Sequence, residues 1–266
     1  MKVGGFNKAP TFLYVLPAQP MLEILQVDKF FGHFQALTKV SLKVEEGEFR
    51  GLIGPNGSGK TTTFNVISGV YQASAGQIQF LGQDITHFTP DRICHAGITR
   101  SFQIPRPFKE MTVVENVMLG SLFGKGKIIL TKEDPQAEAL RWLEFVGLKV
   151  GENTMPGELT AGNLRRLELA RALATHPKLL LADEIMSGLN QEEIVLASQV
   201  LKKIREEMKI TIIWVEHIMT ALMNLVDWVT VLDYGQIIAE GTPQEISKNP
   251  KVIEAYLGEE ETEIHA

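Results

Sequence analysis

From Leu52 to Thr62 the chain reads Leu-Ile-Gly-Pro-Asn-Gly-Ser-Gly-Lys-Thr-Thr, an apolar strand end that runs through a glycine-rich loop into a helix start. Each residue type in it has a task at a phosphate. Gly57 and Gly59 permit backbone angles that a Cβ would oppose, so consecutive N–H groups can turn inward around phosphate oxygens. The helix that follows, from about Gly59 to Ser68 with Gly69 as its stop, aims unpaired amides and a positive dipole end at the same anion. Lys60 adds a point charge for the β- and γ-phosphates, and Thr61 offers a hydroxyl ligand for Mg²⁺. Asn56, Gly57, Ser58, Gly59, Lys60, Thr61 and Thr62 are therefore the candidate residues for holding a nucleoside triphosphate. A chance glycine-rich turn is the competing reading, and it does not explain why every position of the pattern is filled.

Two other apolar runs end in groups that could work on that phosphate. Leu179-Leu-Leu-Ala delivers Asp183 and Glu184 to the edge of the core; Asp183 suits a Mg²⁺ ligand and Glu184 is placed to polarise an attacking water. The plain alternative is a strand running into an exposed acidic turn. Trp214-Val-Glu-His217 ends likewise in an imidazole, read either as a γ-phosphate contact or as a solvated side chain. The other five histidines have no such context.

These residues need a core to position them. At 266 residues and 44% hydrophobic, the chain can bury one large core with an attached lobe. A net charge of −6 argues against a free-standing nucleic-acid binder, which usually carries a basic excess. No apolar run approaches the roughly eighteen residues of a spanning helix, so a membrane connection must pass through a partner. The lone Cys94 forms no internal disulfide, fits a reducing compartment and is given no role. Lys2 and Lys8 ahead of the Thr11–Ala18 stretch faintly imitate a signal peptide, but Pro17 breaks the apolar part. Residues 1–20 read as a flexible extension, with Met21 as an alternative start.

Leu22–Val27, Val40–Val44 and Phe49–Ile53 read as strands, with Glu46-Gly47 turning between the last two; Gln77–Leu81 and Ile98–Phe102 continue in strand register. A Thr112-Val-Val-Glu115 capping box opens a helix to about Leu119. Asp134-Pro135 begins a second helix ending at Gly147, and Gly162–Thr175 makes a third, stopped by Pro177. Lys178–Ala182 and Ile210–Val215 are continuous apolar runs of the kind found in parallel strands covered on both faces, separated by an amphipathic helix over Gln191–Met208. Trp228–Leu232 and Gln236–Ala239 form a hairpin across Asp233-Tyr-Gly235, followed by a capping box at Thr242–Glu245. The expected fold is α/β: a mixed sheet core, an antiparallel β part near the start, and a helical lobe inserted at about 105–175.

With these motifs in place, the chain resembles an ATP-binding cassette of the ABC transporter family over about residues 21–258, leaving 259–266 as a tail. The resemblance implies ATP and Mg²⁺ as the cofactors. It puts the adenine-stacking aromatic on Phe31, which could equally be a core phenylalanine. It puts a glutamine that touches metal and water on Gln103, making Gln103, Glu184 and His217 the catalytic set and Thr61, Gln103 and Asp183 the metal ligands. The signature that closes on a partner's ATP falls on Thr160, Ala161, Gly162 and Asn163, departing from the usual serine, glycine and glutamine. Ile185 and Asn190 also depart, standing where proline and aspartate are common.

Gly97–Gln103, Pro107–Asn116 and Gly241–Gly258 resemble the branched-chain amino-acid importer branch most closely. That implies a second cassette, identical or different, two transmembrane permease subunits, an indirect link to a solute receptor, no nucleic acid, and a place on the cytoplasmic face of the membrane. Phe108, Met111 and Val113 are the candidate permease dock, ordinary packing being the alternative. Importers of urea or short amides share much of this wording. A soluble cassette acting on ribosomes or DNA fits less well, since there is one phosphate loop, no coiled-coil insertion and no basic patch; a small-molecule P-loop kinase leaves Thr160-Ala-Gly162 and Glu184 unexplained and has no acceptor-site candidate.

Overall fold

A computed structural model describes residues 19–102, 104–124 and 134–263, with side chains through Tyr256. Strands β1 (Leu22–Phe31) and β2 (Phe34–Val44) form an antiparallel hairpin, and β4 (Ala75–Phe80) and the short β5 (Gln83–Asp84) complete a four-stranded sheet in the order β2-β1-β4-β5. The turn at Glu46-Gly47 passes the chain to β3 (Phe49–Ile53), in a second sheet of six strands. Its order is β10-β9-β3-β8-β7-β6, with β6 (Ile98–Arg100), β7 (Leu179–Asp183), β8 (Thr211–Val215), β9 (Trp228–Asp233) and β10 (Gln236–Gly241). All its neighbours pair in parallel except the terminal β9–β10 hairpin.

Strands β3, β7 and β8 are buried at every residue, Arg50, Asp183 and Thr211 included, because both faces of the sheet are covered. Side chains alternate between those faces. Leu180, Ala182, Ile212 and Trp214 join a cluster with the lobe residues Val113, Val117 and Leu173, whereas Leu179, Leu181, Ile213 and Val215 join the antiparallel sheet and Phe64 of α1 (Lys60–Ile67). The central sheet is thus the shared wall between two cores.

Between β5 and β6 lies α2 (Pro90–Ala96). The lobe is built from α3 (Val113–Phe123), α4 (Pro135–Phe145) and α5 (Ala161–Ala174), which pack on one another. Gly120 sets the closeness of α3 to α5: a Cβ there would lie 2.6 Å from Arg171 O and 2.9 Å from the Ala174 Cβ. The remaining helices are α6 (Gln191–Glu206), α7 (Met219–Leu225), α8 (Pro243–Ile246) and α9 (Pro250–Glu263). No helix among the described residues is long and apolar enough to cross a membrane.

The structure departs from the sequence reading in several places. β1 and β2 are longer than Leu22–Val27 and Val40–Val44, because register shifts between Ile24 and Phe30 break the alternation that marks a strand, and Gln26 takes φ 48° there. β6 ends at Arg100, not Phe102. Helices α2 and α7 stand where none was read, although Thr89-Pro90 and Gly97 supply start and stop signals for the first. α9 continues through Glu263 past the anticipated tail boundary, since the glutamates after Gly258 are good helix formers. Val113 is wholly buried and cannot belong to a docking surface.

Candidate active site

Three neighbouring parallel strands, β3, β8 and β7, end on the same edge of the sheet, and the loops that leave them carry the chemistry. After β3, Gly54 takes φ 149° with room for no side chain, since a Cβ would lie 2.0 Å from Leu232 O. Gly57 (φ 74°) and Gly59 (φ 107°) bend the loop, and a Cβ on Gly59 would meet Leu37 Cδ2 at 2.9 Å. Gly59 is also the N-cap of α1, with no side-chain cap, so the first amides of that helix face the loop. The Lys60 ammonium reaches over the loop and donates to Gly54 O at 2.7 Å and Pro55 O at 2.8 Å.

After β7, Glu184 takes a left-handed conformation (φ 46°), strained for a residue with a side chain. Two bonds hold it: its N–H donates to Val215 O at 2.9 Å, and Arg165 Nη1 donates to its carbonyl at 2.8 Å. This turn directs the carboxylate to His217 at the end of β8, with Glu184 Oε1 2.9 Å from His217 Nε2. The carboxylate is nearly enclosed, whereas about half of the imidazole (48%) is exposed.

The deciding geometry is one cavity of about 280 Å³ lined by Phe34, Ala36, the loop from Asn56 to Thr62, Glu184 and His217. Residues separated by up to 183 positions thus share a single space that joins an anion cradle to an acid–imidazole pair. The ABC transporter family pattern matches residues 37–187. This chain belongs to that family. A second pattern, the branched-chain amino acid ATP-binding cassette transporter, matches residues 236–262 of the cassette.

A high-affinity branched-chain amino acid transport ATP-binding protein of Pseudomonas aeruginosa, BraF, is 38% identical to the cassette over 253 residues, covering 91% of this chain and 99% of that protein. A probable branched-chain amino acid transport ATP-binding protein of Methanocaldococcus jannaschii, LivG, is 40% identical over 257 residues, with 90% and 98% covered. Among solved structures, the ADP conformation of MJ1267, an ATP-binding cassette of an ABC transporter, matches with a TM-score of 0.80 at 35% identity, covering 91% of this chain and 100% of that one. The dimeric structure of MJ0796, a bacterial ABC transporter cassette, matches with a TM-score of 0.77 at 28% identity, covering 84% and 99%.

Other anticipated residues lie around the cavity rather than on it. Asp183 closes β7, buried, with Arg100 Nη2 2.5 Å from its Oδ2. Burial pushes its carboxyl above the usual range, and the Arg100 guanidinium pulls it back. Phe31 is outside the cavity lining; it stands edge-on to Tyr71 with Lys29 Nζ 4.9 Å above its ring, while Phe34 lines the cavity. Thr160 caps α5 by accepting the Asn163 N–H at 3.3 Å, leaving Thr160 and Ala161 exposed and Gly162 and Asn163 half-buried, away from this chain's own cavity. Asn190 caps α6 through a reciprocal pair with Glu193, so an amide does there what aspartate would do. Gln103 lies outside the described residues.

The sequence reading gave no role to three residues that build this site. Glu216, buried, accepts the N–H groups of Met186 and His217 and so ties the β7 and β8 loops together; burial raises its carboxyl above the ordinary value. Arg165 fixes the Glu184 carbonyl, and Arg100 holds Asp183. Glu216 was visible beside His217, but only the fold shows that its carboxylate turns inward.

Proposed function

We propose that this chain is the ATP-hydrolysing subunit of an importer for branched-chain amino acids, working on the cytoplasmic face of a membrane. The shared cavity of the phosphate loop, Glu184 and His217 carries the ATPase part of the reading. The match over 236–262 to the branched-chain cassette pattern, with the names of the relatives, supports the solute class. ATP is the substrate. Asn56–Thr62 wrap its phosphates, Lys60 turns from the loop carbonyls to the β- and γ-oxygens, and Glu184 accepts a proton from the attacking water while His217 contacts the γ-phosphate.

The donor set fits a divalent cation: Thr61 offers an exposed hydroxyl after β3 and Asp183 a carboxylate at the end of β7, two strands over on the same sheet edge, with Gln103 as the third ligand. Mg²⁺ would neutralise charge on the phosphate oxygens. Phe31 is the adenine-stacking ring. Thr160, Ala161, Gly162 and Asn163 act on the ATP of a second cassette, a copy of this chain or a companion. Thr160 and Ala161 stand exposed at a helix start, and none of the four lines the chain's own cavity, which supports action in trans. Closure of the pair by γ-phosphate and reopening after hydrolysis then move two permease subunits, which receive solute from a receptor.

Phe102, Ile104 and Phe108 stand exposed where the core meets the lobe, and they replace Val113 in the permease dock. Phe108 is held from below by Asn116, which donates to its carbonyl at 3.0 Å and accepts its N–H at 2.8 Å. Uptake of labelled leucine, isoleucine and valine by cells lacking this chain tests the solute class. The account expects uptake to vanish and to return with the wild-type chain. Intact leucine uptake with lost urea uptake would replace it with the short-amide alternative.

A further inference from the structure

Arg100 ends β6, and its guanidinium is buried. One edge meets Asp183 Oδ2 at 2.5 Å, and Nη1 donates to Asn65 Oδ1 at 2.6 Å. Asn65 lies on α1, the helix that opens with Lys60 and Thr61. The guanidinium lies near the rings of Phe64 and Phe102, 5.6 and 5.2 Å from their centroids. Its neighbour Ser101 continues the clamp: Ser101 Oγ accepts the Asp183 N–H at 3.2 Å, and Ser101 N donates to Leu181 O at 3.0 Å.

Stability alone does not account for this arrangement. A buried ion pair costs desolvation that apolar packing would avoid. Here the Arg100 Nε is also buried without a hydrogen-bond partner among the described residues. A planar fork is suited to fix the direction of one carboxylate while gripping a second acceptor, which a lysine cannot do.

We infer that Arg100 is a positioning residue for the metal: by holding Asp183 Oδ2 and Asn65 together it locks the β7 carboxylate to α1, so that Asp183 and Thr61 present their ligands to one cation. The inference rests on the reading of Asp183 as a metal ligand. Arg100 itself touches neither nucleotide nor metal. A guanidinium also repels a nearby cation, which opposes the effect; on this inference orientation of the carboxylate outweighs that repulsion, and the Mn²⁺ titration reads the balance.

The test uses the full chain and Mn²⁺ as a spectroscopic probe. Mn²⁺ affinity of the ATP-loaded protein is read by electron paramagnetic resonance, and a fluorescent ATP analogue is titrated separately in chelator. Arg100→Met should weaken Mn²⁺ binding by about 10- to 100-fold and leave metal-free nucleotide binding unchanged. Arg100→Lys should recover only part of the loss, and Asn65→Ala, which spares the Asp183 contact, should weaken Mn²⁺ in the same direction by less. Unchanged or tighter Mn²⁺ binding in Arg100→Met overturns the proposal. Equal loss of metal-free nucleotide binding in Arg100→Met and Asn65→Ala also overturns it, since the residue would then only hold the fold. Asp183→Asn separates the two levels: if that variant binds Mn²⁺ as the wild type does, the metal-ligand reading itself is wrong, whatever Arg100 does.

Discussion

Glu184 and Lys60 line one cavity, and hydrolysis should be separable from nucleotide binding. Glu184→Gln keeps the shape and loses the base, so fluorescent ATP should bind as before while phosphate release falls by about 100-fold or more. Undiminished release would remove Glu184 from its role. Glu216 makes a different prediction. Burial raises its carboxyl above the ordinary 4.5, so just above that pH the native chain keeps a proton that the unfolded chain has lost. Stability through this group therefore falls as pH rises through that window. Thermal melts of the wild type and Glu216→Gln should show the wild type losing ground to the variant with rising pH; a gap that moves the other way contradicts the burial argument. At this scale the phosphate loop was legible because its residues are contiguous and each has a local backbone task. The Arg100–Asp183 pair was not, because the partners are 83 positions apart and only strand pairing brings them together.

Caps and glycine stops made most helices legible, since they are local chemistry: Thr112 and Glu115 cap α3 reciprocally, as their spacing predicts. Sheet membership was legible for β7 and β8, whose apolar runs read as covered parallel strands and pair as such, but not for β3. β3 follows β2 after a tight turn yet pairs with β8 and β9, more than 150 residues on, and every residue of it, Arg50 included, is buried within that second sheet. The lobe has its own sensitive contact. Gly120→Ala would press a methyl group against Arg171 O and Ala174, and overpacking of this kind should lower stability by about 1–3 kcal/mol. A chemical-denaturation midpoint equal to that of the wild type would show that α3 and α5 can part without cost. Metal-free nucleotide binding should survive this change, because the phosphate loop packs against the other core.

For the whole molecule, the two cores on either side of one sheet place the triphosphate site at strand ends and the lobe beside it; on the proposed reading the Thr160–Asn163 segment, exposed at Thr160 and Ala161, completes another cassette's site. A charge introduced as Phe108→Asp should spoil permease-stimulated ATP hydrolysis and spare nucleotide binding, and an unaltered stimulated rate would discard the dock. Pairing is the claim on which the rest turns. Its most direct measurement is the mass of the Glu184→Gln chain by light scattering, alone and with an equimolar companion cassette, in ATP with Mg²⁺ and again in ADP. The account predicts a two-cassette mass with ATP in at least one of those arms, absent with ADP and lost when Gly162→Asp is added. A one-chain mass in both arms, with ATP demonstrably bound, would contradict it.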